Sequence, residues 1–243
     1  MPDQNSISLC DMHSHFLPGI DDGCRTVEES LGILRACTNQ NIDYVAATPH
    51  YYSRVSVEEF LRQRDDAFSR VREAMDPDEI WPKISLGAEV AYHAGLLYEE
   101  RLPELCYQGT DYLLLEMPFI KWTPNMLRDV QQIPGLFGIT PIIAHLERYL
   151  HMQDKRHIRD LMEMDVLVQV NAEYILYGRH PHRIRKMIRD GQIDLLGSDC
   201  HDLKDRRQNL GEAGEKLLSW GMKEELSRIR DTSLMILDPY LCL

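Results

Sequence analysis

The sequence predicts an α/β protein built as a distorted (β/α)7 barrel, with parallel strands whose C-terminal ends carry the active site. Short apolar runs, typical of strands buried on both faces, alternate with amphipathic segments that begin at helix-capping residues. Nearly every apolar run ends in a histidine or a carboxylate, and active sites of parallel barrels lie at the strand C-termini. About seven runs rather than eight predict an irregular barrel, and we expect residues 1–243 to form one domain.

The predicted strands are defined by the polar residues that follow them. The first, around Ile7 and Leu9, leads into His13 and His15, which point to the same side because they alternate along an extended chain. The later runs are 42–48 before His50, 84–88 before Glu89, 112–115 before Glu116, 139–144 before His145, 166–170 before Asn171, and 193–197 before Ser198 and Asp199.

The helices are predicted from their first residues. Thr26-Val-Glu-Glu29 and Ser56-Val-Glu-Glu59 have the spacing of a capping box, and Thr123-Pro124 places an N-cap before a proline at the first helical position. Further helices are expected over residues 95–108, 154–164, 182–190, 211–220 and 223–230.

Composition narrows the possible partners and location. A net charge of −12 argues against a nucleic-acid-binding surface, although local cations could still hold a small anionic substrate. No stretch is long and apolar enough to insert into a membrane, and residues 1–8 lack the features of a signal peptide, so we expect a cytoplasmic protein.

The six cysteines lack C-x-x-C spacing, which predicts reduced, mostly buried thiols. They are Cys10, Cys24, Cys37, Cys106, Cys200 and Cys242.

Gathered at one end of a barrel, the residues that follow the strands form a candidate metal site. Imidazole nitrogens and carboxylate oxygens suit Mn, Fe, Zn or Mg rather than soft metals. Each residue alone could be explained without a metal, for example as a buried histidine or as an aspartate in a turn. Burying a carboxylate without a partner costs free energy, however, so the whole set is better explained by a metal site. Nine candidates exceed the need of one ion, so a bridging carboxylate would allow two or three metals. The candidates are His13, His15, Asp22, His50, Glu89, Glu116, His145, Asp199 and His201.

These motifs resemble the PHP (polymerase and histidinol phosphatase) superfamily. They are Asp11-Met-His-Ser-His15, Pro18-Gly-Ile-Asp-Asp-Gly23, Ala47-Thr-Pro-His50, Gly87-Ala-Glu89, Leu114-Leu-Glu-Met-Pro118, Ala144-His-Leu-Glu-Arg148 and Ser198-Asp-Cys-His201. Over about residues 9–210 the chain is similar to the bacterial metal-dependent protein-tyrosine phosphatases of capsule and exopolysaccharide synthesis. Leu146 replaces the family's usual proline and Cys200 its alanine, and neither change removes a candidate ligand.

The resemblance implies three divalent metals in a distorted (β/α)7 barrel, and we expect manganese first, with Fe, Zn or Mg as alternatives. His13, His15, Glu89 and Asp199 would hold the first; Glu89, Glu116 and His145 the second; and Asp22, His50 and His201 the third. The substrate would be a phosphotyrosine protein, such as a bacterial tyrosine autokinase. Arg148, Asp199 and His201 are the predicted catalytic residues, and Arg148 and Arg206 the predicted phosphate ligands. A hydroxide bridging two metals would attack phosphorus in line.

Other interpretations stay open at this point. A related enzyme could hydrolyse histidinol phosphate or a sugar phosphate, and the chain could be a non-catalytic metal-binding regulator. The acidic composition disfavours a nuclease. Cys200 and Arg206 have the C-x5-R spacing of thiol-based phosphatases, but the intervening loop lacks glycine, so we do not expect a nucleophilic cysteine. Arg54, Arg206 and Arg207 could contact a phosphopeptide or be solvated, and Tyr51 and Tyr52 could line the cleft or pack internally.

Overall fold

A computed structural model describes residues 7–238 and contains seven parallel strand paths. Two of the paths are bent: β2 (Ile42–Ala47) continues into β3 (His50–Tyr51), and β4 (Lys83–Leu86) continues into β5 (Glu89–Ala91). The others are β1 (Leu9–Asp11), β6 (Tyr112–Glu116), β7 (Thr140–Ile143), β8 (Leu167–Asn171) and β9 (Leu195–Gly197). All of the predicted strands are therefore present.

The strands form two ladders that hydrogen bonds join into a barrel. The ladder orders are β1-β2-β4 and β3-β5-β6-β7-β8-β9, with every pair parallel. The amide of Gly87 donates to the carbonyl oxygen of Ala47 at 2.8 Å across the bend. The chain after β1 pairs with β9, since the Met12 amide donates to the Leu196 carbonyl oxygen at 3.1 Å. The α/β fold with a distorted parallel barrel is thereby confirmed.

The helices lie outside the strands and begin where the capping residues predict. The side-chain oxygens of Thr26, Ser56 and Thr123 each accept a hydrogen bond from the amide three residues later, at 3.2, 3.2 and 3.3 Å. The helices are α1 (Val27–Asn39), α2 (Val57–Ala74), α3 (Pro124–Phe137), α4 (Lys155–Met162), α5 (Ala172–Tyr177), α6 (Pro181–Arg189), α7 (Leu210–Ser219) and α8 (Lys223–Leu237).

Two helix predictions need correction, and one helix was missed. Residues 95–108 form two 3-10 turns, Leu96–Tyr98 and Leu102–Leu105, instead of one helix. Proline disfavours α-helical geometry in the residue before it and has no amide to donate, so Pro103 interrupts the segment. The short helix α5 was not predicted, and α8 extends to Leu237, beyond the expected residue 230.

Helix α8 extends because Leu234 and Ile236 in its last turn are buried. Ile236 packs into the apolar cluster inside the barrel, together with Met12, Leu114 and Leu195. Tyr112 and Leu167, the first residues of β6 and β8, pack against this cluster, so α8 covers the end of the barrel where strands begin. The described C-terminal helix thus closes the end of the barrel where strands begin; residues 239–243, which include Cys242, lie outside the described part. The opposite end, where strands finish, stays open for a site.

The described cysteines are buried and unbridged, as predicted. Cys10, Cys24, Cys37, Cys106 and Cys200 are all free thiols. Burial raises the pKa of Cys106 to about 12, so this thiol is protonated at neutral pH. Among the described residues, no helix is long and apolar enough to cross a membrane.

Candidate metal centre

All nine candidate ligands lie where the strands end. His13 and His15 follow β1, while His50 and Glu89 begin the bent portions β3 and β5. The other positions are Asp22 in the loop before α1, Glu116 at the end of β6, His145 after β7, and Asp199 and His201 after β9. The parallel barrel therefore brings together residues that lie up to 188 positions apart (13 to 201) in the sequence.

Four of these side chains surround one point. His13 Nε2 lies 3.0 Å from His15 Nε2, 3.2 Å from Glu89 Oε2 and 3.6 Å from Asp199 Oδ1. His15 Nε2 lies 3.3 Å from the same Glu89 oxygen and 3.5 Å from Asp199 Oδ1. Ligand atoms arranged tetrahedrally at 2.0–2.2 Å from a divalent ion are about 3.4 Å apart, so the observed spacing fits a shared cation.

A second group shares Glu89 with the first. The Glu89 Oε1 atom lies 2.9 Å from His145 Nε2, which is 3.3 Å from Glu116 Oε1. The two oxygens of Glu89 therefore face different groups, so this carboxylate could contribute one oxygen to each of two cations. His50 Nδ1 also contacts Glu89, at 2.9 Å from Oε2.

The third group lies at the outer edge of the cleft. Asp22 Oδ1 is 3.5 Å from His50 Nε2 and 3.4 Å from His201 Nε2. Because the other ring nitrogen of His50 faces Glu89, this histidine links the third group to the rest of the centre.

Several buried atoms of the centre have no hydrogen-bond partner within the described chain. They include Glu89 Oε2 and His201 Nε2, which lie 2.9 Å from His50 Nδ1 and 3.4 Å from Asp22 Oδ1 but make no aligned hydrogen bond. Burial alone would raise the pKa of the Glu89 carboxyl, but His13 and the neighbouring histidines bring that pKa well below its ordinary value. The carboxylate is therefore anionic, and unsatisfied buried donors and acceptors of this kind require a partner. Divalent cations fit both the charge and the donor types of this site.

The backbone of the site is strained at two candidate ligands. His145 has φ 36° and Asp199 has φ 54°, values that non-glycine residues rarely adopt. Each such conformation costs about 1–3 kcal/mol and persists only where the surroundings impose it. Two glycines allow close backbone approach to the candidate ligands. A Cβ atom on Gly197, at the end of β9, would lie 2.5 Å from the Cβ of His13, and one on Gly23, in the loop before α1, only 2.1 Å from the carbonyl oxygen of His15.

Sequence reasoning missed the residues that orient the candidate ligands. Asp21 Oδ2 lies 2.7 Å from His15 Nδ1 and accepts the amide of His50 at 2.9 Å. Such a carboxylate fixes the histidine tautomer, so that Nε2 of His15 faces the metal position. The available signal is that Asp21 directly precedes the candidate ligand Asp22.

A second orienting group comes from β8. Gln169 Oε1 accepts the amide of His145 at 2.8 Å and lies 3.3 Å from His13 Nδ1. Asn171 Nδ2 donates to Asp199 Oδ2 at 2.8 Å. Since Gln169 and Asn171 alternate on one strand, their shared direction could have been inferred from the spacing.

We expect Asp21→Asn to weaken metal binding by about 10–100-fold, because an outer carboxylate of this type aligns its histidine and raises the basicity of the ring. Competition of the variant with a chelating dye for Mn²⁺ measures the affinity. Asp78→Asn, at an exposed turn, is the matched control and should bind as the unmodified protein does. An affinity of Asp21→Asn equal to that control would contradict the assigned role.

Two arginines bracket Asp199. Arg148 pairs with Asp199 Oδ2, and Arg206 Nη2 lies 2.8 Å from Asp199 Oδ1. Both guanidinium groups are partly exposed and have further N–H donors. Arg207 is instead held by Glu212 in a two-point surface pair, and Arg54 lies 5.0 Å from the ring centre of Tyr52. Arg148 and Arg206 are therefore the two arginines in contact with the candidate metal ligands.

Cys200 does not have the properties of a nucleophile. Its side chain is fully buried, and burial raises the pKa of the thiol well above its ordinary value. A thiol-based phosphatase needs a thiolate in positive, accessible surroundings. The C-x5-R spacing from Cys200 to Arg206 is therefore incidental to the chemistry of this site.

Comparisons with known proteins agree with the geometry. The family model for capsular polysaccharide synthesis proteins CpsB/CapC matches residues 9–230. The tyrosine-protein phosphatase CpsB of Streptococcus agalactiae serotype III is 25% identical over 217 residues, which cover 84% of this chain and 88% of the relative. The tyrosine-protein phosphatase YwqE of Bacillus subtilis is 26% identical over 215 residues, covering 84% and 82%.

Solved structures support the fold. The chain matches a structure from work on YwqE of Bacillus subtilis and CpsB of Streptococcus pneumoniae, described as unique metal-dependent tyrosine phosphatases, with a TM-score of 0.76 and 23% identity over 94% of both chains. A dihydropyrimidinase from Brevibacillus agri matches with a TM-score of 0.56 and 10% identity, over 96% of this chain and 71% of that one. At these identities the matches concern architecture alone.

Proposed function

The chain belongs to the CpsB/CapC family of capsular polysaccharide synthesis proteins, and we propose that it is a metal-dependent tyrosine-protein phosphatase. The observation that carries this proposal is the cluster of nine candidate histidine and carboxylate ligands. Eight of them fall into three overlapping groups, and His145 joins these through Glu89 and Glu116. The names of the relatives from Streptococcus agalactiae and Bacillus subtilis support the same activity. A phosphate monoester is a suitable substrate, because divalent cations with adjacent arginines make an anion site in an acidic chain.

In this proposal the centre holds three divalent cations, with manganese as the first choice. His13, His15, Glu89 and Asp199 would bind one; Glu89, Glu116 and His145 a second; and Asp22, His50 and His201 a third. When bound, such cations polarise phosphoryl oxygens and lower the pKa of water in the cleft. Three of them would outweigh the four ligand carboxylates, leaving the site positive toward a dianion.

Arg148 and Arg206 would bind the non-bridging oxygens of the phosphate. A planar guanidinium donates two parallel hydrogen bonds to two oxygens, and Arg148 sits against the ligand Asp199 at the edge of the centre. Asp199 holds both guanidinium groups in place before substrate arrives, so little reorganisation is needed on binding. Asp199 therefore has two proposed tasks, as ligand and as anchor for the arginines.

Aromatic side chains at the mouth of the cleft favour an aryl phosphate. Tyr52 stacks on His50 with ring centres 5.4 Å apart, and Phe119 stacks on His145 at 5.8 Å; both aromatic rings are partly exposed. The two histidines touch different oxygens of Glu89, so the rings flank the centre from two sides. Tyr51, in contrast, is buried in the core. Exposed aromatic faces beside a cationic site suit a phosphate carried on an aromatic ring.

A cleft for the substrate ring lies beside these groups. Asp22, His50, Tyr52 and Arg54 are among the residues that line a cavity of about 570 Å³. Tyrosinate, with an ordinary pKa of ~10, is a good leaving group, so the site does not require a strong general acid. These features favour phosphotyrosine over histidinol phosphate or a sugar phosphate.

We further propose that the substrate is a phosphotyrosine protein of capsule synthesis, such as a bacterial tyrosine autokinase, and that the enzyme acts in the cytoplasm. The family's role in capsular polysaccharide synthesis supports the first part. The buried, unbridged thiols among the described cysteines are in keeping with a reducing compartment.

A substrate panel tests the proposed function. Protein reconstituted with Mn²⁺ should hydrolyse a phosphotyrosine peptide and p-nitrophenyl phosphate, and a chelator should abolish both activities. Histidinol phosphate and a dinucleotide should be poor substrates. Preference for histidinol phosphate would indicate a small-molecule phosphatase, and absence of turnover on all four compounds would indicate a non-catalytic metal-binding protein.

A further inference from the structure

Helix α6 and the segment before it form a basic surface in an acidic chain. Between residues 174 and 189 there are five Lys and Arg residues and two histidines but no Asp or Glu, whereas the whole chain has a net charge of −12. We call the exposed members the α6 basic surface: Arg179, His180, His182, Arg183, Lys186 and Arg189.

Intramolecular pairing does not neutralise this surface. Lys186 pairs with Asp190, but Arg179, Arg183 and Arg189 make no ion pair with any described residue. The rings of His151, which precedes α4, and His180, at the start of α6, lie 5.3 Å apart, so the exposed His151 adds to this surface. Clustered cations without acidic partners repel one another, so the surface is electrostatically suited to an external anion.

The surface begins at the rim of the metal centre. Helix α5 starts immediately after Asn171, whose side chain donates to the candidate ligand Asp199. Tyr177, at the end of α5, lines a cavity of about 150 Å³ together with Asp199, Arg206 and Arg207 and with two acidic residues, Glu173 and Asp205. Arg179 lies two residues beyond Tyr177. A chain that leaves the centre through this cavity would therefore reach the α6 basic surface directly.

We propose that the α6 basic surface binds an acidic peptide segment that flanks the phosphotyrosine of the protein substrate. This inference rests on the proposed function and adds the kind of sequence that the substrate carries. Complementary charge raises the association rate and the specificity for a partner more than it raises the binding affinity. The surface is therefore a recognition site outside the reacting centre.

An anionic membrane fits the surface less well. Helices that bind membranes present an apolar face to the acyl region. The apolar residues of α6, namely Ile184, Met187 and Ile188, are buried against the protein, so the helix exposes only its charged face. An extended acidic peptide needs no apolar face and can follow the cations from Tyr177 onward.

Kinetics with matched substrates test this proposal. Two phosphotyrosine peptides of equal length, one flanked by Asp and Glu and one by Ser and Gly, are compared with p-nitrophenyl phosphate on the Mn²⁺-loaded enzyme. The charge-reversal pair Arg179→Glu with Arg183→Glu should lower kcat/KM for the acidic peptide by about tenfold at low salt. Turnover of the neutral peptide and of p-nitrophenyl phosphate should stay within twofold, which also reports an intact fold and metal centre.

The control is Arg72→Glu with Lys216→Glu, which changes the net charge equally at exposed positions in the last turns of α2 and α7, far from the strand C-termini. It should leave kcat/KM unchanged for all three substrates.

Several outcomes would contradict the proposal. Equal wild-type kcat/KM for both peptides, or equal losses on both in the α6 variant, would show that the α6 basic surface does not bind the peptide, while the phosphatase activity itself would stand. Loss of binding to phosphatidylglycerol vesicles without any change in peptide kinetics would assign the surface to lipid instead. If the wild type cleaved neither peptide, the proposed function would fail and this inference with it.

Discussion

Glu89→Gln is expected to weaken metal binding by more than about 100-fold, since loss of an outer-sphere partner already costs 10–100-fold and Glu89 contacts the metal positions directly. Both oxygens of Glu89 are engaged, Oε2 with His13, His15 and His50 and Oε1 with His145. An amide presents only one acceptor oxygen and no charge, so it can neither bridge two cations nor balance them. Phosphatase activity should fall to the level of the chelated wild type.

Metal content by mass spectrometry of the purified variant, and kcat/KM on p-nitrophenyl phosphate, measure the two effects. Glu73→Gln, at an exposed position of α2, is the matched control and should retain both metal and activity. Full metal occupancy of Glu89→Gln at micromolar Mn²⁺ would show that this carboxylate does not bridge the centre.

Arg148→Lys is expected to lower kcat/KM by about 100-fold or more while the metals stay bound. A lysine ammonium keeps the charge but loses the planar pair of donors that matches two phosphate oxygens, and loss of one such aligned donor group costs about 100–1000-fold. Asp199 would still be held by Arg206 and Asn171, so the candidate ligands should keep their positions.

Steady-state kinetics, inhibition by inorganic phosphate and metal analysis distinguish these contributions. Phosphate should inhibit the variant less strongly than it inhibits the wild type, at equal metal content. Arg207→Lys serves for comparison, because Arg207 is bound to Glu212 on the surface and should be replaceable with little effect on kcat/KM. A variant of Arg148 with unchanged phosphate inhibition would assign this arginine to a structural pairing with Asp199.

The positions of the strands and of their polar ends could be predicted because a parallel barrel imposes a simple rule. Each apolar run crosses the core once, so the residue after it must lie at one common end, and no long-range distance is needed to place His13 near Asp199. The capping residues Thr26 and Ser56 are equally local signals, since each acts within its own first helical turn.

What the sequence did not predict depends on tertiary contacts. The role of Asp21 arises because the loop after β1 returns to His15 and His50, which no local pattern records. The length of α8 follows from the burial of Ile236 inside the barrel, and a helix pattern over 95–108 was overridden by Pro103. The α6 basic surface is local in sequence, but its closeness to the centre depends on how α5 leads from Asn171 to Tyr177.

The central claim, that nine residues at the strand C-termini hold divalent cations, is tested most directly by anomalous diffraction from crystals grown with Mn²⁺. We predict three anomalous peaks: one among His13, His15, Glu89 and Asp199, one among Glu89, Glu116 and His145, and one among Asp22, His50 and His201. Absence of anomalous density between these side chains at saturating Mn²⁺, or peaks located elsewhere, would contradict the account.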